Sequence, residues 1–415
     1  MSERFEADYL IETPCDPSHA TAVMAGEQSS GTFVKVHGET TELQARAAAQ
    51  VTKITILETT DTPTLTGGLK GANYHRAKVT LSWPLDNIGP DLPNLMATVA
   101  GNLFELSQFS GLRILDIRLP RSFANEYPGP KFGITGTRAL ANVNTGPIIG
   151  TIIKPSVGLT AESTADLVKS LAEAGIDFIK DDELQANGPA CPFEERVRLV
   201  MNVINAHADR TGKKVMYAFN LTGEVDHMRK RHDFALAHGA TCVMASLNSV
   251  GISGFLGLSR HSALPIHAHR NGWGYLSRAH MLGWSYQAWS KIWRLAGADH
   301  MHVNGLQNKF SESNESVISS AKSLLTPLFE DAPYVAMPVF SSGQTVLQPP
   351  ETFQQMGNSD CIYAAGGGIM GHPDGPRAGV AALRQSWQAA MSGVSPDDYA
   401  TSHVELARAL EAYRP

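Results

Sequence analysis

From residue 147 onward the chain repeats one pattern: a short apolar run, then a longer stretch with apolar residues at helical spacing. The runs are 147–153, 176–179, 214–219, 241–245, 264–268, 299–303, 334–339 and 361–365. Most are apolar without alternation, as strands buried on both faces require. Between them, residues 161–174 carry an amphipathic helical pattern that stops at Gly175, a residue suited to a left-handed helix end. Residues 194–208 and 277–295 read as further helices, and 395–415 as a terminal helical extension with Ser395 as its cap. Eight β-then-α units in succession predict a parallel sheet closed into a (β/α)8 barrel.

Residues 1–145 follow no such alternation. Strand-like pieces at 32–36 and 77–83 mix with a helical stretch around 92–106, and Pro- and Gly-rich sequence over 127–146 reads as a linker. The expected fold class is therefore α/β, with an N-terminal α+β domain over 1–145 and a barrel with its C-terminal extension over 146–415.

Composition narrows the function. With 43% hydrophobic and 18% charged residues, the chain has material for a sizeable core. A net charge of −6 without a Lys/Arg block argues against nucleic acid or an anionic membrane as partner. Cys15, Cys191, Cys242 and Cys361 show no metal-type spacing and read as reduced thiols. No apolar run approaches the ~20 residues that span a bilayer, and the N-terminus lacks a signal-peptide pattern, so a cytoplasmic location is expected.

In a (β/α)8 barrel the C-terminal ends of the strands carry the chemistry. Here they present Lys154-Pro155-Ser156, Lys180-Asp181-Asp182-Glu183, His267-Ala268-His269-Arg270, His300-Met301-His302, Ser341-Ser342-Gly343 and Gly366-Gly367-Gly368. Lys180 and Asp182 project to one face of an extended strand, and Glu183 can turn inward where the strand gives way to loop. Hard carboxylate ligands of this kind favour Mg²⁺. Two readings of Lys180 stay open: an ion pair with these carboxylates, or a lysine converted by CO2 into an anionic ligand. Lys154, buried among other cations, would lose basicity and suit proton transfer. Arg270 is a natural phosphate fork, and the glycine triplet with Ser341 and Gly343 resembles a phosphate cradle built from backbone N–H groups. The loop 303–310, with Gly305 and Lys309, suits a mobile lid. A Mg²⁺ site, a phosphate site and an acid/base lysine fit enolisation or carbon–carbon chemistry on a sugar phosphate.

These motifs, in this order, resemble the ribulose bisphosphate carboxylase superfamily, large-subunit type, over nearly the whole chain. The resemblance implies that Lys180 is carbamylated and holds Mg²⁺ with Asp182 and Glu183, and that Lys154, His269 and Lys309 are catalytic. It places Arg270, His302, Ser341, Gly343, Gly366 and Gly367 on substrate or phosphate. The segments around Glu27 and Thr32 and around Asn102 resemble those that reach a neighbouring subunit's site, which implies a homodimer or an assembly of dimers. The departures matter as much. Ser156 stands where the carboxylase has a second lysine, and Ile152 where it has threonine. Leu184, Phe33, Trp273 and Ser342 also differ from the usual residues. The chain thus looks like a RuBisCO-like protein (form IV) that does not fix CO2. Decarboxylation of 3-oxo-isoapionate 4-phosphate is the leading expectation, because more of the carboxylase machinery is retained than an enolase needs. The alternatives are transcarboxylation and hydrolysis of the same substrate, enolase or isomerase chemistry on a methylthio-sugar phosphate, and a non-catalytic sugar-phosphate sensor. Asn102, where the enolase has a lysine, argues against that enolase.

Overall fold

The computed structural model describes residues 3–31 and 36–414. It divides into two compact units: Met1–Pro128 with Gly272–Leu295, and Gly129–Asn271 with Ala296–Pro415.

In the second unit every predicted barrel run forms a strand. These are β5 (Ile148–Ile152), β6 (Phe178–Lys180), β7 (Met216–Asn220), β8 (Cys242–Ser246), β9 (Ile266–His269), β11 (His300–His302), β12 (Met337–Phe340) and β13 (Ile362–Ala364). All pair in parallel with their neighbours, and the barrel closes where β13 meets β5, Ile362 opposite Ile148. Ile148, Phe178, Met216, Met244, Met337, Val339 and Ile362 fill its interior. Full burial of each such side chain is worth about 1.5–3 kcal/mol. Gly150 is required there, because a Cβ would come within 2.9 Å of the Phe178 ring.

The helix Ala161–Glu173 is capped by the Thr160 hydroxyl, which accepts from Ser163 N–H, and is followed by Gly175 at φ +81. The expected helix 194–208 runs Phe193–Thr211. The 395–415 extension is two helices, Pro396–Ala400 and Val404–Tyr413, with Ser395 accepting from Asp398 N–H. Two expectations need correction. The stretch read as a linker contains a helix, Gly133–Ala141, which puts Ala141 into the barrel's apolar cluster. Its glycines disguise a segment tied down by long-range contacts. Nor is 277–295 one helix. It divides into the end of a short helix (Trp273–Ser277), strand β10 (Leu282–Trp284) and a helix (Tyr286–Ala296). Gly283 sits at φ +87, where a Cβ would strike the Leu276 carbonyl oxygen at 1.9 Å.

The first unit is a five-stranded sheet in the order β10-β4-β1-β3-β2. Its members are β1 (Arg4–Thr13), β2 (Gln50–Thr60), β3 (Tyr74–Pro84), β4 (Gly111–Arg118) and β10. β1 runs antiparallel to β3 and β4, whereas β10 runs parallel to β4. Along β1, Phe5, Ala7, Tyr9 and Ile11 alternate inward. The helical stretch predicted around 92–106 is Leu92–Val99 plus a 3-10 turn, Gly101–Glu105. The unit therefore borrows a strand from the segment after β9, so a single cut at 145 differs from the observed division.

Candidate functional site

The second barrel strand ends in a buried amine. Lys180 is 1% exposed. Its Nζ donates to the Asp181 carbonyl at 2.8 Å and lies 3.4 Å from Glu183 Oε2. Burial drives this amine below the ordinary lysine value, against the pull of Glu183 and Asp182. Asp181 faces the opposite way. Its carboxylate accepts from Tyr217 Oη at 2.5 Å, from Arg196 Nη2 at 3.1 Å and from Asn220 N–H at 2.8 Å. Asn220, at the end of β7, also donates from Nδ2 to the Asp182 and Glu183 carbonyls at 3.3 and 3.2 Å. The turn carrying the two carboxylates is thus held from below and from the side. Asn220 was not singled out in the sequence, although a polar residue at the C-terminal end of an apolar run obeys the rule that found the others.

Lys154, at the end of the first strand, donates to Asp182 Oδ2 at 2.7 Å and to Ser156 Oγ at 2.8 Å. It was expected to be buried among cations. Instead its side chain is 43% exposed and faces a carboxylate. Its second acceptor, Ser156, is a neutral hydroxyl, so no cation crowds the amine from that side. His269 Nε2 lies 3.5 Å from Glu183 Oε2. Its Nδ1 accepts from Asn271 N–H at 3.2 Å, so in the neutral ring Nε2 carries the proton and points towards the carboxylate. Burial and the Lys180 charge push His269 down to about 4, despite Glu183. Burial opposes ionisation of Glu183, yet attraction to His269 and Lys180 outweighs it and holds Glu183 below the usual carboxylate range.

His302 is buried between two partners: Nε2 lies 2.8 Å from His267 Nε2, and Nδ1 lies 3.0 Å from Ser341 Oγ. Arg270 donates to Glu312 Oε2 at 2.6 Å. Glu312 lies in the segment before the helix Asn314–Leu325 and carries no signal in the sequence beyond its charge. Part of the loop 303–310, expected to be a mobile lid, packs against Gln344. Gly305 packs where a Cβ would overlap the Gln344 amide, and Gln344 Nε2 donates to the Leu306 carbonyl at 3.0 Å. The exposed part of the loop carries Lys309, whose Nζ lies 5.4 Å from the Phe310 ring centre. The Lys309 backbone lies against Gly343.

After β13, Gly366 precedes a one-turn helix, Gly367–Met370. The first N–H groups of such a turn have no helical acceptor. A Cβ on Gly367 would project into open space. In the other unit, Asn102 Nδ2 donates to Glu27 Oε1 at 3.3 Å, and both side chains are exposed. Thr32 lies outside the described residues.

Lys180, Asp182 and Glu183 suit a Mg²⁺ site. The donors would all be hard oxygens if the amine took up CO2, and a buried amine driven towards neutrality is the nucleophile that such uptake needs. A different trio, His232, Asp233 and His261, brings potential metal-binding atoms within 4.8 Å of one another. However, His232 Nε2 accepts from Ala263 N–H at 3.1 Å, so its Nδ1 carries the proton shared with Asp233 at 2.9 Å. That trio is a hydrogen-bonded cluster rather than a set of open ligands.

The family model of the ribulose bisphosphate carboxylase large chain, catalytic domain, matches residues 133–413, and that of its N-terminal domain matches residues 9–123. A 3-oxo-isoapionate-4-phosphate transcarboxylase/hydrolase of Xanthobacter autotrophicus is 58% identical over 414 residues, covering 100% of both chains. A 3-oxo-isoapionate-4-phosphate decarboxylase of Rhizobium etli is 43% identical over 407 residues, covering 98% of this chain and 97% of the relative. The crystal structure of a rubisco-like protein from Burkholderia fungorum superposes with a TM-score of 0.93 at 46% identity, covering 99% of this chain and 100% of that one.

Proposed function

Because the chain belongs to the ribulose bisphosphate carboxylase large-chain family, we propose that it is a Mg²⁺-dependent RuBisCO-like enzyme acting on 3-oxo-isoapionate 4-phosphate, and not a CO2-fixing carboxylase. The reaction proposed is transcarboxylation followed by hydrolysis. The observation that carries it is the 58% identity, end to end, with a relative of that name. This reverses the order of the two readings drawn from sequence. Decarboxylation becomes the second, supported by 43% identity to a decarboxylase.

The site's own geometry is suited to either. Carbamylated Lys180, with Asp182 and Glu183, would hold the metal. Bound Mg²⁺ supplies the positive charge that stabilises an enediolate. The substrate is a β-keto acid. When its carboxylate leaves as CO2, the bonding pair passes to the keto oxygen and an enediolate results. Lys154, 2.7 Å from Asp182, is assigned the return of a proton to carbon, which would complete decarboxylation. In transcarboxylation the enediolate takes CO2 back on its other carbon. Water then adds to the relocated keto group, the carbon–carbon bond breaks, and two carboxylic acids leave. His269 offers its Nε2 proton to a developing oxyanion. Lys309 supplies charge from the exposed loop, which would also retain CO2 between the two steps. The phosphate is assigned to the N–H groups around Gly366 and Gly367, with Gly343 and Ser341 beside them. Glu27, Asn102 and Thr32 are proposed to complete a neighbouring subunit's site, which makes a homodimer the smallest working assembly. No helix among the described residues is long and apolar enough to cross a membrane, and a cytoplasmic location is part of the proposal.

The test is incubation of the Mg²⁺- and bicarbonate-treated protein with 3-oxo-isoapionate 4-phosphate. Two acids without net CO2 release are expected. One CO2 per substrate and a single phosphorylated product would select the decarboxylase reading, and no turnover would reject both.

A further inference from the structure

Arg270 follows the fifth barrel strand and is 6% exposed. Its guanidinium meets a carboxylate. Nη2 donates to Glu312 Oε2 at 2.6 Å. The same oxygen accepts from Asn304 Nδ2 at 2.7 Å, and Glu312 Oε1 accepts from Ser316 Oγ at 2.9 Å. Asn304 is itself fixed, at φ +65, with its Oδ1 accepting from Ser342 Oγ at 2.9 Å. Arg270, Asn304 and Ser316 therefore all donate to one largely buried carboxylate. Such charge-assisted bonds are short and strong where water is excluded. A phosphate approaching Arg270 would have to displace this carboxylate or share the guanidinium with it, against like-charge repulsion in a poorly screened place.

The family is named for a substrate with two phosphates, whereas the Xanthobacter and Rhizobium relatives are named for a substrate with one. The glycines at the end of β13 lie across the rim from Arg270, since β11 and β12 separate β9 from β13. We propose that Glu312 is a specificity-determining residue: an internal counter-ion on Arg270 that closes the β9 end of the rim to a second phosphate. Substrates with one phosphate, seated at the glycines, are accepted, and bisphosphates are disfavoured. This rests on the phosphate placement proposed above, and it revises the expectation that Arg270 grips phosphate directly.

The test is calorimetric binding to the full-length, Mg²⁺- and bicarbonate-treated protein, with ribulose 1,5-bisphosphate and 3-phosphoglycerate as probes. Glu312→Gln should tighten the bisphosphate by about tenfold or more and change the monophosphate far less. Glu312→Asp draws the carboxylate back by one methylene, keeps the loop's charge, and should give a smaller gain of the same sign. Unchanged bisphosphate affinity in a folded Glu312→Gln protein overturns the proposal, as does an equal gain for both probes. Should Glu312→Gln fail to fold, absence of any gain in Glu312→Asp overturns it. Both readouts are binding, so failure to turn over 3-oxo-isoapionate 4-phosphate would refute the reaction and leave this comparison standing.

Discussion

The two ends of the barrel use the same residue types for opposite purposes. At the N-terminal end, Asp299 precedes β11 and Asp177 precedes β6. Asp299 accepts from the N–H groups of Phe132, Gly133 and Ile266 at 2.7, 2.9 and 2.9 Å. Asp177 accepts from Ile149 N–H at 2.9 Å, from Lys213 at 2.5 Å and from Arg384 at 3.2 Å. Asp299 is held by backbone N–H groups and so ties the helix Gly133–Ala141 to β9, while Asp177 joins β5 to two cationic side chains. At the C-terminal end Asp182 and Glu183 face lysines and a histidine, partners that can exchange a proton, react with CO2 or yield to a metal. A carboxylate's role in this fold follows the end of the strand it occupies.

The largest break in that contrast is expected at Lys180. Lys180→Met should lower turnover about a thousandfold or more while leaving the unfolding temperature nearly unchanged. In parallel, the carbamate signal from ¹³C-bicarbonate should vanish from the NMR spectrum. A variant that kept its activity would remove Lys180 from the mechanism. Asp299→Ala should do the reverse. It strands three buried N–H groups, and a loss of about 3 kcal/mol or more in denaturant unfolding is expected, with kcat per folded molecule unchanged. Asn220→Ala lies between the two. Loosening the turn that carries Asp182 and Glu183 should cost about 10–100-fold in kcat/KM and in Mg²⁺ affinity, with a stability loss of about 1–2 kcal/mol.

The smallest effect is one of pH. Burial raises the Asp299 carboxyl to about 6, despite its three N–H partners. Because that value lies above the unfolded one, its contribution to stability is complete at low pH and is lost as pH rises through about 6. The unfolding-temperature gap between wild type and Asp299→Asn should therefore narrow from pH 4 to pH 7. A gap that widened over this range would show that the three N–H bonds outweigh burial.

Much of the fold was readable because its signals are local. Runs such as 147–153 and 361–365 are apolar enough to demand burial on both faces, and Gly175 ends its helix where the periodicity stops. The rule that chemistry sits at strand ends then singled out Lys154, Lys180, Asp182, Glu183 and His269, which the structure brings together, and Arg270. What escaped depended on distant partners. The segment 277–295 has helical periodicity, yet β4 recruits Leu282–Trp284 as an edge strand. Gly133–Ala141 is composed like a linker, yet Asp299 receives its first N–H groups. Lys154 escaped similarly, since only the folded chain sets it against Asp182.

The barrel and the groups gathered at the C-terminal ends of its strands were legible in the chain alone, because burial patterns and residue order are properties of the chain. Tertiary structure decided how those groups are paired. Asp181 turns to Arg196 while Asp182 turns to Lys154, and Arg270, the natural phosphate fork, is taken by Glu312, 42 residues away. The physical reason is that an ion pair's strength and direction depend on distance and exclusion of water, and both are set only when separate strands and loops close around the same point.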